Sequence, residues 1–417
     1  MEYNMKHILI IAYRFPPMGG IGTRRWAKFA KYLAKEGYIV HVITIDNTKV
    51  GTVNWFHDIK ENQNILIHRI KAAYPIWLLN TSSNRYIAFI KRLLNFILRK
   101  TLFDIDIAQN WAKYMLPAAK KIITEHNIHN IIVTSAPHSV GYISTYLKID
   151  LPHINLIQDF RDSWNDDYHY DYPKRLSFFY QKEKSAYMEW FVITHSDFIV
   201  NVSQDITNKL KNKYKHFEQK LLTIHNGFDR DDIKNIAISK QKSNDNVSIL
   251  YAGELGFGRI NAIKLMMDVL LSSKDLSDKI TINIYSSFNK KELEHKYAPL
   301  MDKAVFFHSL IPSSKIFDKI SENDYCLSIN APMYPYAFGT KVFDYMMLNK
   351  KIIHISGDGE LSKLMISFNQ FSVDYDLEKI KDMLNRLAPQ SNSNTFLAYE
   401  KFNIANLTKA FERLFID

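Results

Sequence analysis

The sequence predicts an α/β protein made of two doubly wound parallel sheets facing across a cleft. Three observations carry this reading. At 417 residues the chain is longer than one core ordinarily serves and suits two domains. Short unbroken apolar runs such as "HILIIAY" (7–13) and "VSILYAG" (247–253) have the pattern of parallel strands covered on both faces. Helix-spaced segments separate these runs, in one series up to about residue 234 and in a second from Val247.

The elements follow in order. "HILIIAY" leads into the loop "YRFPPMGGIGTRRW" (13–26). Trp26, Phe29, Ala30 and Leu33 then recur at helical spacing, with Thr23 as the expected N-cap and Gly37 as the stop. "YIVHVITI" (38–45) completes a strand–loop–helix–strand unit, whose crossover should be right-handed. Further strands are expected at 131–135, 154–158 and 197–203, with a helix over 111–126. The second series reads as strands at 247–253, 280–286, 304–309, 324–330 and 351–356. The layout is thus an N-terminal Rossmann-like domain over 1–234, a polar linker over 235–246 and a second Rossmann-like domain over 247–395. A last helix over 396–417, with Leu407, Ala410, Phe411 and Leu414 on one face, is expected to pack back on the first domain.

Composition narrows the class. Hydrophobic residues make up 47% and charged residues 23%, which is ordinary for a globular protein. The net charge of +11 favours anionic partners. There is no zinc-ligand spacing and no aromatic RNA-binding signature, so nucleic acid is not an expected partner. The single cysteine, Cys326, excludes an internal disulfide framework and fits a reducing compartment; within "DYCLSIN" it reads as a small core residue. The first residues lack a secretory pattern, and no apolar stretch is long enough to span a bilayer. The expected location is cytoplasmic, with a peripheral place on the inner face of the plasma membrane left open.

Candidate chemistry sits on loops after strands. Gly19, Gly20 and Gly22 open the first helix, where exposed main-chain N–H groups favour an anion. This is not the dinucleotide fingerprint, because Arg25 occupies the third glycine position. "TSAPHSVGY" (134–142) puts His138 at a strand end. "LIQDFRDSWNDD" (156–167) brings Asp159, Arg161 and Asp162, either as an ion-pair network or as ligands for an acceptor. "TIHNGFDRDD" (223–232) reads as a tight Asn-Gly turn needing positive φ. The second domain repeats the opening device in "YAGELGFGR" (251–259): Gly253, Gly256 and Gly258 precede Arg259, and Lys264 follows a helical turn later. In "YPYAFGTKVFDYMM" (334–347), Gly339 and Thr340 are placed to start a helix whose first turn holds Lys341 and Asp344. Two glycine loops backed by arginine can clamp a diphosphate.

Together "PPMGGIG", "HNGFD", "YAGELGFGR" and "GTKVFDYMMLNKKII" make the chain resemble, over nearly its whole length, the retaining glycosyltransferases of family four, the "glycosyl transferases group 1" set with the GT-B fold. "TSAPHS" and "DFRDSW" resemble a bacterial branch that builds surface polysaccharides. The resemblance implies transfer of a sugar from a nucleoside-diphosphate sugar to a glycan or polyprenyl-linked acceptor, with retention. It makes 1–234 the acceptor side and 247–395 the nucleotide-sugar side. It gives Gly20 and Gly22 an approach to the donor diphosphate or sugar, His138 a place facing the sugar, and Arg259 and Lys264 the charge of the leaving group. Gly256, Gly339, Thr340, Lys341 and Asp344 fall on the donor, Asp344 at the ribose. No cofactor beyond the sugar nucleotide and no metal is expected. One departure stands out: where the family has Glu, seven residues and Glu, this chain has Tyr336 and Asp344.

"RYIAFIKRLLNFILRK" (85–100) sets Tyr86, Phe89, Ile90, Leu93, Leu94 and Ile97 at helical spacing among Arg85, Lys91, Arg92, Arg99 and Lys100. Such a helix either lies in an anionic membrane interface or turns its stripe into a core. Two readings from other classes stand beside the transferase. One is a nucleotide-dependent oxidoreductase, with Asp46 at the end of the second strand as the ribose acid. The other is a non-catalytic sugar-nucleotide-binding paralogue, suggested by Tyr336.

Overall fold

β1 (His7–Ala12) is the apolar run that opens the chain, and five of its six residues are buried. The computed structural model describes residues 6–47, 55–60, 62–80, 82–165, 177–234, 246–311, 313–389 and 396–416. Of the segment expected as a linker, 235–245 lies outside these residues, as does 390–395. The chain divides into two units, Met1–Ile224 with Thr408–Asp417, and His225–Leu407.

Unit 1 continues through α1 (Ile21–Lys35), β2 (Ile39–Ile45), β3 (Ile65–Ile70), α2 (Arg85–Thr101), α3 (Ala112–Glu125), β4 (Asn130–Ser135), α4 (Ser139–Asp150), β5 (Asn155–Phe160), α5 (Ser177–His195), β6 (Phe198–Asn201), α6 (Gln204–Lys213) and β7 (Leu221–Thr223). Its seven strands run in the order β3-β2-β1-β4-β5-β6-β7, every neighbouring pair parallel. Helices cover both faces, as the apolar strand runs require.

Unit 2 holds β8 (Val247–Ala252), α7 (Ile260–Ser272), α8 (Lys274–Lys279), β9 (Ile280–Tyr285), α9 (Lys291–Tyr297), β10 (Val305–His308), α10 (Ser313–Glu322), β11 (Tyr325–Ile329), α11 (Lys341–Met347), β12 (Lys351–Ile355), α12 (Glu360–Ser367), β13 (Phe371–Val373), α13 (Leu377–Asn385) and α14 (Phe396–Tyr399). Its six strands follow the same plan, β10-β9-β8-β11-β12-β13, again all parallel. Both sheets are doubly wound, the architecture the sequence predicts. Cys326 lies in β11 and is buried; burial raises its thiol pKa to about 12, so it is a core residue. α15 (Ile404–Glu412) ends in unit 1, where Phe411 meets Trp26 (5.1 Å between centroids) and Phe29 (4.9 Å) of α1.

Some local expectations are corrected. α1 starts at Ile21, not after Thr23: Gly20 is its N-cap with φ 125°, and the Thr23 hydroxyl donates back to the Gly20 carbonyl at 2.9 Å. Gly37 has φ 94° just after the helix, as a stop should. "HNGFD" is not a positive-φ turn, since neither Asn226 nor Gly227 has positive φ. Glycine is needed there for closeness: a Cβ on Gly227 would sit 2.2 Å from the Phe402 carbonyl and 2.7 Å from Leu407. Strands β3, β7 and β13 have no unbroken apolar run because they flank or end the sheets, and β3 buries only Ile65.

Candidate functional site

In each sheet the strand order reverses beside its first strand, between β1 and β4 and between β8 and β11. Ligands of open α/β sheets bind beyond the strand carboxyl ends at such a point. Each glycine loop follows the first strand of its sheet, so each lies at that point within its own unit.

In unit 1, Arg161 gathers three chain segments. Its Nε donates to the Ser135 carbonyl (2.8 Å), Nη2 to the Ala136 carbonyl (2.6 Å), and Nη1 to the Gly22 carbonyl. The end of β4 is thereby tied to the glycine loop. Arg161 holds the loops in place, and Asp162 beside it is exposed. Asp159 is fully buried and accepts from Arg25 (2.9 Å at Nη2), Trp26 (2.7 Å) and Thr134 (3.2 Å). Arg25 also donates to the Ile224 carbonyl at 2.8 Å. Arg25 and Asp159 therefore form an internal ion pair.

His138 sits just before α4 and is 1% exposed. Its ring stacks on Trp164 at 4.7 Å. Burial, and then the Arg161 charge, lower its pKa to about 3, so the imidazole is neutral near pH 7. Asp106 supports the same turn by accepting from the Ser139 hydroxyl and from its N–H at 2.8 Å. Arg14, two residues past the end of β1, is exposed, and its guanidinium makes no hydrogen bond or ion pair among the described residues. Desolvation first and the Arg161 charge second lower its pKa. Two guanidinium groups beside a glycine loop suit an anion.

In unit 2, Lys341 opens α11 and its ammonium donates to the Ala252 carbonyl at the end of β8. The residue as a whole is exposed, but desolvation around the ammonium is the first cause that lowers its pKa, to about 8; Arg259 lowers it further, while Asp344 and Glu254 oppose. Arg259, at the N-cap of α7, is half-buried; its guanidinium donates a long 3.4 Å bond to the Gly256 carbonyl and lies 5.9 Å from the centre of the Phe257 ring. Its charge also reaches Tyr251 and Tyr375. Arg259, Lys341, Asp344 and Glu254 are thus one electrostatic group around the end of β8. Asn330, just past β11, donates to the Pro335 (3.1 Å) and Ala337 (2.8 Å) carbonyls. Tyr375 donates to the Asn330 carbonyl at 2.5 Å. These bonds shape the segment that delivers Gly339, Thr340 and Lys341.

A family model described as "Glycosyltransferase Family 4" matches residues 18–232, just over half of the chain. The chain belongs to Glycosyltransferase Family 4. Solved structures with the same fold include a glycosyltransferase from Rickettsia africae, 16% identical, with a TM-score of 0.62 over 99% of this chain and 98% of that one. WaaG, a glycosyltransferase involved in lipopolysaccharide biosynthesis, is 12% identical, with a TM-score of 0.51 over 97% and 95%. MnaA from S. aureus, in a structure with UDP, is 13% identical, with a TM-score of 0.52 over 99% and 98%. At these identities the likeness is one of fold, GT-B. No curated protein sequence matches the chain.

Within this Family 4 chain, the predicted residues fall into distinct settings. Gly20 is the N-cap of α1 in unit 1, and Gly22 lies in the first turn of that helix. Gly256, Gly339, Thr340, Lys341, Asp344 and Arg259 lie at the β8 and β11 ends of unit 2. Gly256 and Gly339 are exposed, with nothing within 4 Å of an added Cβ. Asp344 is largely buried in the first turn of α11. Lys264 lies further along α7, where its carbonyl accepts from Tyr297 at 3.5 Å; it is not among the charges acting on Lys341. Tyr336 is half-buried beside Tyr334 (6.1 Å). Arg14, Asn330 and Tyr375 were not anticipated. Arg14 had a signal in sequence, a lone cation directly after the first strand.

Proposed function

We propose that this glycosyltransferase moves a sugar from a nucleoside-diphosphate sugar to a glycan or polyprenyl-linked acceptor in surface polysaccharide synthesis, with retention and without a metal. The observation that carries the reading is the pairing of Arg259 with Lys341 at the end of β8. As the glycosidic bond breaks, negative charge grows on the departing diphosphate. Cations held in place before the reaction stabilise that charge without reorganising. Arg259 has its guanidinium largely unengaged, and Lys341 stands beside it, so both charges are suited to this task. They supply the positive charge that a divalent ion would otherwise bring. Asp344 is the acceptor for the ribose hydroxyls, and Arg14 is the anion contact of the unit 1 loop.

UDP in the MnaA structure and the lipopolysaccharide role of WaaG support a nucleotide-sugar donor and a glycan acceptor. α2 supports a membrane-borne acceptor. None of its residues is buried and none is acidic. Among the described residues, no helix is long and apolar enough to cross a membrane, and α2 has instead the character of an interfacial helix.

The test is calorimetric titration with a panel of nucleoside diphosphates and nucleotide sugars, paired with an assay for diphosphate release. Tight binding of one base series together with release is the expected result. If no member binds, the proposal fails. Binding without turnover on any acceptor would make the chain the non-catalytic paralogue that Tyr336 suggests.

A further inference from the structure

We propose that unit 1 carries a divalent transition-metal site of the zinc type, formed by His7, His41 and His126 toward the amino-terminal end of the strands, away from the glycine loop. One ring nitrogen from each of the three lies within 4.8 Å of the other two. His7 Nδ1 and His41 Nε2 are 2.9 Å apart. Two nitrogens on a tetrahedral zinc ion, each at about 2.0–2.1 Å, stand about 3.3 Å apart. The His7–His41 pair is thus near the spacing one ion requires, the His126 nitrogen lies within 4.8 Å of both, and a fourth position is left for water.

The three residues come from separate elements that the fold fixes. His7 opens β1, His41 lies in β2 opposite Leu9, and His126 caps the end of α3. β1 runs six residues from His7 to Ala12, about 20 Å at strand rise, before the glycine loop begins. An ion here is accordingly remote from sugar transfer, and its effect is on the stability of unit 1.

A fourth histidine supplies what metal-binding imidazoles generally have, a partner on the other ring nitrogen. His41 Nδ1 is 3.0 Å from His68 Nε2 on β3. With Nδ1–H of His41 donating to His68, the His41 Nε2 lone pair is directed at His7 and His126. Metal binding requires the neutral form of each imidazole. His41 is fully buried while His7 and His68 are half-buried, so the site has a solvent-facing side for entry.

The experiment uses the full chain, stripped with a chelator and titrated with Zn²⁺ and separately with Co²⁺. The expected result is one ion per chain, a rise in melting temperature reversed by chelator, and a cobalt ligand-field absorption of low-coordinate type. The double variant His7→Ala, His126→Ala should lose all three while melting in chelator like the wild type. His68→Ala should keep the stoichiometry and weaken affinity roughly 10–100-fold, the usual effect of removing an outer partner. If the double variant does not fold, His126→Ala alone, compared with wild type in chelator, serves the same purpose. Wild-type protein that takes up no ion, or uptake unchanged in these variants, overturns the proposal.

Discussion

The ammonium of Lys341 donates to the main-chain carbonyl of Ala252, 89 residues earlier in the chain. This single bond joins the first residue of α11 to the last residue of β8 and holds Lys341 near Arg259. It depends on Gly253, because a Cβ there would lie 2.3 Å from the Lys341 Nζ. Gly253→Ala is therefore expected to displace the ammonium and weaken nucleoside-diphosphate binding by about 1.5–3 kcal/mol, the range for a hydrogen bond to a charged group. Calorimetric titration measures it, and wild-type affinity in the variant would separate Lys341 from the donor.

On the proposed function, the lowered pKa of Lys341, about 8, gives donor binding a pH dependence. A diphosphate binds the protonated form and raises that pKa. Affinity should be full below about pH 8 and fall as pH rises through that value. In Lys341→Met the fall should disappear and the affinity should be low throughout. The contribution of the same group to folding runs the other way. The unfolded lysine titrates at 10.5, so between about pH 8 and that value the unfolded chain binds more protons, and this contribution rises with pH. A binding profile flat across pH 7–9 in the wild type counts against the assignment.

Arg259→Ala should leave the melting temperature unchanged, since the guanidinium makes one long hydrogen bond and lies against the exposed Phe257 ring. Loss of a preorganised charge donor costs about 2.7–4 kcal/mol in the transition state. The expected result is a drop in turnover of roughly 10²–10³-fold, read in the diphosphate-release assay. Wild-type rates would end the role given to this guanidinium.

The alternation of apolar runs with helical spacing was enough to predict both sheets, because strands buried on two faces must be apolar throughout. β3 escaped because it flanks the sheet and carries His68 and Arg69 in an otherwise apolar run. The glycine loops were visible as composition, but what they are for was only partly so. Gly253 and Gly227 exist for close approach, to Lys341 and to Phe402, and closeness between distant residues leaves no local mark. For the same reason Arg25 and Asp159, 134 residues apart, could equally be read as ligands. The four histidines are spread from residue 7 to residue 126, so no short spacing announced them.

Arg25 and Asp159 bear on stability rather than catalysis. Both side chains are nearly inaccessible, at 3% and 0%. Removing one member of a buried pair leaves the other charge uncompensated, at a cost of about 3–5 kcal/mol. Arg25→Ala should lower the free energy of unfolding of unit 1 by that amount, measured by urea titration. Asp162→Ala, at an exposed neighbour in sequence, should stay within about 0.5 kcal/mol. Equal effects would mean that the pair does not hold α1 to β5.

The proposed membrane attachment turns on α2. Tyr86 is 83% exposed and Phe89 66%, and Ile90, Leu93 and Ile97 are also exposed. Arg85, Lys91, Arg92, Arg99 and Lys100 flank this stripe. A helix of this kind gains from burying its apolar face and from anionic headgroups, at about 1 kcal/mol for each basic residue near the surface. Changing the five basic residues to Gln should strongly reduce sedimentation with vesicles of anionic phospholipid and leave the melting temperature unchanged. Phe89→Ser with Leu93→Ser should reduce binding without unfolding the chain, because neither side chain is part of a core. Binding to neutral vesicles equal to that on anionic ones would remove the electrostatic half of the argument. A large loss of stability in the Phe89, Leu93 variant would show instead that the stripe is packed against protein.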